Sequence, residues 1–326
     1  MILSNTNSRR NIYLILLMKS LIVLITVIVL DFIIGSILKT FYFRQTSGEG
    51  YHTTYSIEKT DADLLIFGSS TAIHNYVPET FKKQMNISAY NVGRDGISIF
   101  YDYAILKTIL KRYSPKVIIL DFDPQEFKKD QESYDRLSCL LPYYKKYPEI
   151  QRIVDLKSPY EKYKLLSNIY PYNSSIFTIA IGNTEYNKTR RGDINGYVPI
   201  NTIWDDPIKD SNTFLNYPAD SNKIKIYKCF IEDCIRAKVE LYIVASPLFI
   251  KPGYKNNSVT IGKAIADKYH VKFLDYSKDS MFLNSPKLFA DVSHLNDDGA
   301  VEYSNTVSDK ILSGENATNG INPQKK

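Results

Sequence analysis

Side chains suited to nucleophilic catalysis lie in two short segments, one near each end of the sequence. The first, residues 67–70 (Phe-Gly-Ser-Ser), follows the apolar residues 64–66 and predicts a buried strand that ends in a small-residue turn, where a nucleophile can be exposed. In the second segment, Asp291 and His294 are three positions apart, so one loop can supply a general base and the carboxylate that orients it. Together the segments predict a Ser-His-Asp site.

Three interpretations of the first segment remain open from the residue types alone. The nucleophile is Ser70, or it is Ser69, or both serines only cap the helix that follows. His294 is either the base or a structural histidine, and the carboxylate of Asp291 three positions before it favours the base. His74 stands four residues after Ser70, where it either faces the site from one helical turn away or forms part of its wall.

The two segments and a third one between them resemble the conserved blocks of the SGNH/GDSL hydrolases. Residues 68–70 are similar to the family's Gly-Asp-Ser block, with Ser69 in the usual aspartate position and Ser70 in the position of the nucleophile. Residues 91–96 match the pattern Asn-x-x-x-x-Gly of the second block. The resemblance implies that the backbone amides of Ser70 and Gly96 form the oxyanion hole and that Asn91 holds the turn before Gly96.

The resemblance covers about residues 61–312 and is weakest at the third block. Asp291 and His294 match the last block, and Leu295, Asn296 and Gly299 continue it as in the family. The family's Gly-x-Asn-Asp block is replaced by residues 121–124 (Asp-Phe-Asp-Pro) after an apolar run. We assign no catalytic role to these carboxylates, because a carboxylate donates no hydrogen bond unless it is protonated. Loss of one oxyanion donor costs about 3–4 kcal/mol, which a slower enzyme can tolerate.

The composition excludes several other classes of protein. The chain has 326 residues, of which 44% are hydrophobic, and this is enough for one large domain and an anchor. A net charge of +6 without a sustained basic run gives no indication of nucleic-acid binding. The three cysteines and four histidines fit no metal-ligand spacing, so we expect no metal and no cofactor. We attribute the 26 tyrosines to biased codon usage, although exposed tyrosines also suit stacking on sugar rings.

An apolar segment near the N-terminus predicts a membrane anchor. Residues 20–38 contain fourteen Leu, Ile, Val or Phe residues among nineteen. These contribute roughly −6 kcal/mol to insertion, against about +3 kcal/mol for Asp31 at the bilayer centre. No small-residue cleavage site follows, so the sequence indicates a signal anchor preceded by a cytoplasmic segment, residues 1–19. We expect a single-pass protein of the bacterial cytoplasmic membrane whose catalytic domain lies outside the cytoplasm.

Beyond a polar connector predicted at residues 39–60, strand and helix patterns alternate. They predict a three-layer α/β/α sandwich with a parallel flavodoxin-like sheet over residues 61–314. A long insertion, residues 125–235, is interpreted as a cap over the substrate groove or as scaffold packing, and residues 315–326 as a disordered tail. The predicted strands are residues 63–67, 88–92, 116–121, 239–245 and 272–275, and the predicted helices are residues 100–113, 259–269 and 298–312.

The resemblance and the anchor together predict a membrane-anchored esterase or acyltransferase. Divergent family members that transfer or remove acyl groups on cell-envelope polysaccharides also have degenerate middle blocks, so the resemblance implies an O-acetylated polysaccharide as substrate and a membrane O-acyltransferase as a further partner. The alternatives are a hydrolase of lipids or small esters and a scaffold protein of a polysaccharide assembly machine that keeps the fold without turnover. The sequence does not distinguish hydrolase from transferase.

Overall fold

A five-stranded parallel sheet is the centre of the fold. The computed structural model describes residues 3–184, 194–205, 217–249 and 257–319 of the chain. The strands occur in the order β2-β1-β3-β4-β5, and every neighbouring pair is parallel. This confirms the predicted flavodoxin-like sheet, with every strand end within one residue of that expected. The strands are β1 (Leu64–Phe67), β2 (Ala89–Asn91), β3 (Val117–Asp121), β4 (Glu240–Ala245) and β5 (Lys272–Asp275).

Helices connect the strands and cover the sheet. Short 3₁₀ helices at Arg136–Tyr143, Tyr170–Ser175 and Pro286–Leu288 interrupt the connections. The α-helices of the described residues are α1 (Leu3–Arg44), α2 (Gly48–Glu58), α3 (Ser70–Asn75), α4 (Pro78–Met85), α5 (Ile99–Ile109), α6 (Glu132–Asp135), α7 (Pro148–Val154), α8 (Glu161–Lys164), α9 (Ile176–Gly182), α10 (Ser221–Arg236), α11 (Asn257–Lys268), α12 (Ser280–Leu283) and α13 (Asp297–Asn319).

Both faces of the sheet are buried, which explains why the central strands are apolar throughout. Side chains alternate between the faces along each strand. Leu65 and Ile118 point into a cluster with α2, α5, α10 and α11. Leu64 and Ile119 point into a second cluster with α4 and α13. The result is the three-layer α/β/α sandwich that the sequence predicts.

Helix α1 continues from the apolar segment into the folded domain. Residues 11–44 form a helix long and apolar enough to cross a membrane. Residues 39–44, expected to begin a polar connector, are its last turns, and Tyr42 there is buried in the domain core at 4% exposure. Residues 48–58 of the expected connector form α2. The polar residues of α2 are buried because they find partners: Thr53 bonds the Tyr101 hydroxyl at 3.1 Å, and Thr54 bonds that of Tyr143 at 2.6 Å.

The insertion and the tail also differ from expectation at their ends. Helix α10 begins at Ser221, inside the predicted insertion, and packs on α5 as part of the layer that covers the sheet. The part of the insertion that remains, residues 125–220, contains α6 to α9, and α7 packs on α5 while α9 contacts α1 and α2. Residues 185–193 and 206–216 lie outside the described residues. Helix α13 continues to Asn319, into the predicted tail, whose last seven residues also lie outside the described range.

Candidate functional site

A glycine turn after β1 presents the predicted nucleophile. Gly68 has φ +136°, and a Cβ there would lie 2.9 Å from the Cβ of Asp121 and 3.0 Å from that of Ala72, so only glycine fits. Its N–H donates to Asp102 Oδ1 at 3.2 Å, which ties the turn to α5. The chain then enters α3, with half-buried Ser70 as the first helical residue at the carboxyl end of β1. Ligand sites of parallel sheets lie at this edge.

Ser70, His294 and Asp291 form a continuous hydrogen-bonded chain. Ser70 Oγ lies 2.8 Å from His294 Nε2, and His294 Nδ1 lies 2.7 Å from Asp291 Oδ2. The other carboxylate oxygen, Asp291 Oδ1, accepts the backbone N–H groups of Ser293 at 2.8 Å and His294 at 2.9 Å. The two distant segments of the sequence therefore meet as expected. A histidine protonated at Nδ1 satisfies every bond in this chain.

Asp291 is held in its ionised form. Burial alone would raise its pKa, but the hydrogen bonds from the His294 ring and from the backbone N–H groups of the loop outweigh this and lower the pKa to about 2. The carboxylate is therefore charged at neutral pH. A fixed negative charge at His294 Nδ1 stabilises an imidazolium once His294 takes up a second proton.

Asn75 fixes the loop that carries Asp291 and His294, a role that was not predicted from the sequence. Its Oδ1 accepts the Leu295 N–H at 2.9 Å, and its Nδ2 donates to the Ser293 carbonyl at 3.4 Å. The Asn75 side chain is fully buried. One short helix, α3, thus carries Ser70 at its first residue and the support of the base at its last. Helix α3 is too short for a periodic pattern that would have marked this residue.

The second block is present as a turn held by Asn91. Its Oδ1 accepts the Gly93 N–H at 3.0 Å, and its Nδ2 donates to the carbonyls of Ala72 at 2.7 Å and Tyr76 at 3.2 Å. These bonds tie the turn to α3, and a structural role is what the sequence predicts for Asn91.

Gly96 lies further along the same loop, exposed and with φ +67°. The guanidinium of Arg136, from the insertion, lies against it, since a Cβ on Gly96 would be 3.2 Å from Arg136 Cζ. Arg136 also pairs with Glu132 at 2.9 Å. The sequence did not predict that a cation from the insertion would cover the loop of the expected oxyanion residue.

His74 forms part of the wall beside the base. Its Nδ1 lies 2.7 Å from the Val198 carbonyl, and its Nε2 lies 3.3 Å from Asp95 Oδ1. The rings of His74 and His294 meet edge to face with centroids 5.4 Å apart. Both nitrogens of His74 thus have partners other than Ser70. Of the two positions that the sequence left open, the structure has His74 in the wall.

Ser69 lies near Asp123, whereas Ser70 is bonded to His294. Asp123 stands in the third block and accepts the Gln125 N–H at 2.6 Å. Burial raises the pKa of Asp123, while its hydrogen bonds and the nearby charges of Lys223 and His294 oppose the rise. Since Ser70 rather than Ser69 is bonded to His294, the geometry favours Ser70 as the nucleophile.

Asp121 is the centre of a buried polar network beneath the nucleophile turn. It accepts hydrogen bonds from Thr71, from the Tyr76 hydroxyl at 2.9 Å and from Ser246 Oγ at 2.5 Å. Burial raises its pKa to about 6, against the lowering effect of these bonds. The network joins the carboxyl ends of β3 and β4 to α3 and contacts neither Ser70 nor His294 through any of these bonds. It supports the site from below.

A cavity of about 510 Å³ lies beside the second-block loop. Its walls come from the end of α1, from α2, from the loop with Arg94 and Asp95, and from the insertion. Arg94 is neutralised by Glu49 at 2.7 Å. Cys139 also lines the cavity and is a free thiol. Within the described residues, no group of three or more His, Cys, Asp or Glu side chains is arranged to hold a metal ion.

Comparisons with known proteins add little to this geometry. No protein-family model matches the chain, and no curated protein matches it. Among solved structures, the chain is similar to the psychrotrophic esterase EstA from Pseudoalteromonas sp., in a crystal structure inhibited by monoethylphosphonate. The identity is 9%, the TM-score is 0.38, and the match covers 78% of this chain and 98% of that one. A likeness at this level carries no argument about function, which must come from the residues themselves.

Proposed function

We propose that the protein is a membrane-anchored serine esterase or acyltransferase with Ser70 as nucleophile, His294 as base and Asp291 as the orienting carboxylate. The observation that carries the proposal is the hydrogen-bonded chain from Ser70 Oγ through both nitrogens of His294 to Asp291. Nucleophile, base and orienting group are each within hydrogen-bond distance of the next, which is the geometry that activates a serine hydroxyl. A satisfied structural histidine needs no half-buried serine as a partner.

The reaction begins with proton transfer to His294 Nε2 as Ser70 Oγ attacks an ester carbonyl. The Nδ1–H of His294 remains bonded to ionised Asp291, which stabilises the imidazolium. His294 then gives the proton to the departing alcohol, and the acyl group stays on Ser70. Water, or the hydroxyl of a sugar, attacks this acyl-enzyme with His294 as base again and restores the free serine.

The backbone amides of Ser70 and Gly96 are the proposed donors to the tetrahedral oxyanion. The third donor of the family, an asparagine side chain, is absent, and Asp123 occupies that stretch of the chain. One donor contributes on the order of 10²–10³ in rate, so we expect a slow enzyme rather than an inactive one.

The anchor and the substrate class complete the proposal. Helix α1 has the length and composition to span a bilayer, which supports a single-pass anchor. The proposed location is the bacterial cytoplasmic membrane, with the catalytic domain outside. An O-acetyl group on a cell-surface polysaccharide is the proposed substrate, and the resemblance to divergent members of the SGNH/GDSL hydrolases supports this part. A membrane O-acyltransferase is the proposed partner for acyl transfer.

The test compares four full-length variants in detergent with p-nitrophenyl acetate as substrate. Ser70→Ala and His294→Ala should each lower turnover roughly 10³-fold or more, and the double variant should lose little beyond either, because members of a triad act as a unit. Ser69→Ala is the matched control and should retain most activity, since the hydroxyl bonded to His294 is that of Ser70. In cells, Ser70→Ala should change the acetyl content of the surface polysaccharide while the amount of membrane protein stays constant.

A non-catalytic scaffold protein is the second candidate, and the replaced third block, residues 121–124, favours it. Under this reading wild type, Ser70→Ala and His294→Ala have the same ester turnover and the same acetylation, and only deletion of the chain disrupts polymer export. That set of results would refute the enzyme. Turnover that depends on Ser69 instead of Ser70 would refute the nucleophile assignment alone.

A further inference from the structure

The insertion is fastened to the middle of the apolar helix. Asp31 of α1 accepts hydrogen bonds from Ser167 Oγ at 2.5 Å, from the Asn168 N–H at 2.7 Å and from the Ile169 N–H at 3.3 Å. Four residues along the helix, Gly35 lets the loop approach closely, because a Cβ there would lie 2.4 Å from the Cβ of Asn168. A loop far along the chain therefore uses the one acidic residue of the apolar segment as its attachment point.

This attachment point lies deep relative to the charged end of the helix. Asp31 precedes Lys39 by eight residues, which corresponds to about 12 Å along a helix axis. If α1 spans a bilayer with Lys39 near its outer surface, the loop at residues 167–169 reaches below that surface. Backbone N–H groups are tolerated at such a depth only where the protein satisfies them. Asp31 does this for two of them, at Asn168 and Ile169.

The residues around this loop are apolar and unusually exposed. Leu166 is 77% exposed and Phe177 84% exposed, next to a helix whose own apolar side chains are also exposed, such as Phe32 at 62%. Exposed aromatic groups at Tyr160 and Tyr163 complete the surface, and such residues are enriched where proteins cross the membrane-water interface. Exposed apolar residues thus occur on the insertion as well as on α1, to which the insertion is bonded at Asp31. The others on the insertion are Ile176 and Ile181.

Lysines accompany this surface. Lys162 lies over the ring of Tyr163 at 5.0 Å, and Lys164 pairs with Glu161 at 2.8 Å. Lysines whose stems lie along aromatic or apolar residues suit the headgroup level of a bilayer, where their charge stays hydrated.

We propose that residues 160–181, here called the docking segment, insert into the outer leaflet of the bilayer beside α1. Leu166 and Phe177 contact lipid acyl chains, and Asp31 holds the loop in place. The partner is therefore a lipid surface. The proposal rests on α1 spanning the membrane but not on the catalytic triad, so the two can fail separately.

The test measures contact with lipid by quenching of tryptophan fluorescence. The chain has one tryptophan, Trp204, so full-length Trp204→Phe is the background, reconstituted in bilayers with and without brominated acyl chains. Phe177→Trp and Leu166→Trp are the test variants, and neither disturbs packing because both positions are exposed. Ile22→Trp in α1 is the positive control. Val301→Trp is the matched negative control, because Val301 is an exposed residue of α13, which packs on the opposite face of the sheet.

We expect Trp at 177 and 166 to be quenched at least half as strongly as Trp at 22, while Trp at 301 is not quenched. Quenching at 22 alone would overturn the docking segment and leave the anchor intact. No quenching at 22 would overturn the anchor on which the docking segment depends. Asp31→Leu should reduce quenching at 177 but not at 22, because it removes the attachment of the loop without shortening the span. Unchanged quenching at 177 in that variant would refute the role of Asp31.

Discussion

Asn75→Ala tests whether the support of the Asp-His loop, rather than the triad alone, sets the rate. The substitution removes the acceptor of the Leu295 N–H, bonded at 2.9 Å, and a weaker bond to the Ser293 carbonyl at 3.4 Å. Both contacts hold the loop on the helix that carries Ser70. Neither touches a reacting group, so Asn75 is a positioning residue.

The size of the effect follows from the burial of these bonds. Leaving a buried N–H without its acceptor costs about 1–3 kcal/mol. If that free energy is relieved when the loop opens, His294 spends correspondingly less time against Ser70. A loss of 1.4 kcal/mol is tenfold in rate, so kcat should fall about 5-fold to 150-fold with little change in KM.

The assay combines esterase kinetics with thermal unfolding of the full-length protein. Ser304→Ala is the matched control, because it leaves the Val77 N–H without its acceptor, now bonded at 2.8 Å, but does not contact the loop. We expect both variants to lose similar stability and only Asn75→Ala to lose activity. Equal activity in the two variants, at equal loss of stability, would refute the idea that Asn75 positions His294. Asn75→Ala should also have no further effect in a Ser70→Ala background.

Two further predictions concern stability. Burial raises the pKa of Glu126 to about 7, so the folded state binds more protons than the unfolded state between about pH 4.5 and 7, and stability should fall as pH rises through this window. Glu126→Gln keeps the acceptor of the Ile99 N–H and should raise the free energy of unfolding near neutral pH by up to about 3 kcal/mol. Chemical denaturation at several pH values should also show a weaker dependence of this free energy on pH. An unchanged pH dependence would contradict the raised pKa of Glu126. Tyr42→Ala should lower the free energy of unfolding by about 3–5 kcal/mol, because its ring is buried in the domain core. Phe41→Ala is the control and should lower it little, because Phe41 is 45% exposed. Similar losses in the two variants would argue against a continuous α1.

The sheet and the meeting of the distant motifs could be predicted from the sequence. The strands are buried on both faces and so form uninterrupted apolar runs, which are visible in one sequence. The carboxyl ends of parallel strands lie at one edge of the sheet, and ligand sites form there. We therefore expected the serine after β1 and the Asp-His loop near the end of the chain to meet at this edge. The match of residues 291–299 to the last block of the resemblance indicated which histidine would lie beside the serine.

The helical nature of residues 39–60 could not be predicted in the same way. Glycine, serine and threonine usually indicate an exposed loop, and α2 has no apolar face to contradict this. Its hydroxyl groups are buried because Tyr101 and Tyr143, far away in sequence, bond them. Some of the tyrosines attributed to codon usage therefore have a structural role. Such pairings depend on tertiary contacts that leave no periodic signal.

The roles of Asn75, Arg136 and Asp31 could not be predicted for a related reason. Each depends on a segment that is distant in sequence: the His294 loop for Asn75, the second-block loop for Arg136, and the insertion for Asp31. In the sequence Asp31 counted only as a cost to membrane insertion. Its hydrogen bonds to the insertion show that the same carboxylate has a partner.

The direct passage from α1 into α2 has a consequence for where an anchored enzyme can work. A flexible linker of about twenty residues would let a catalytic domain move roughly 25 Å from the end of the membrane-spanning helix. Here α1 leads into α2 and the packed core without a flexible linker. In an anchored chain, Ser70 would therefore stay at a nearly constant distance from the bilayer while the protein diffuses in the membrane plane. Under the proposed function, the enzyme would act only on ester groups that come to this distance from the bilayer.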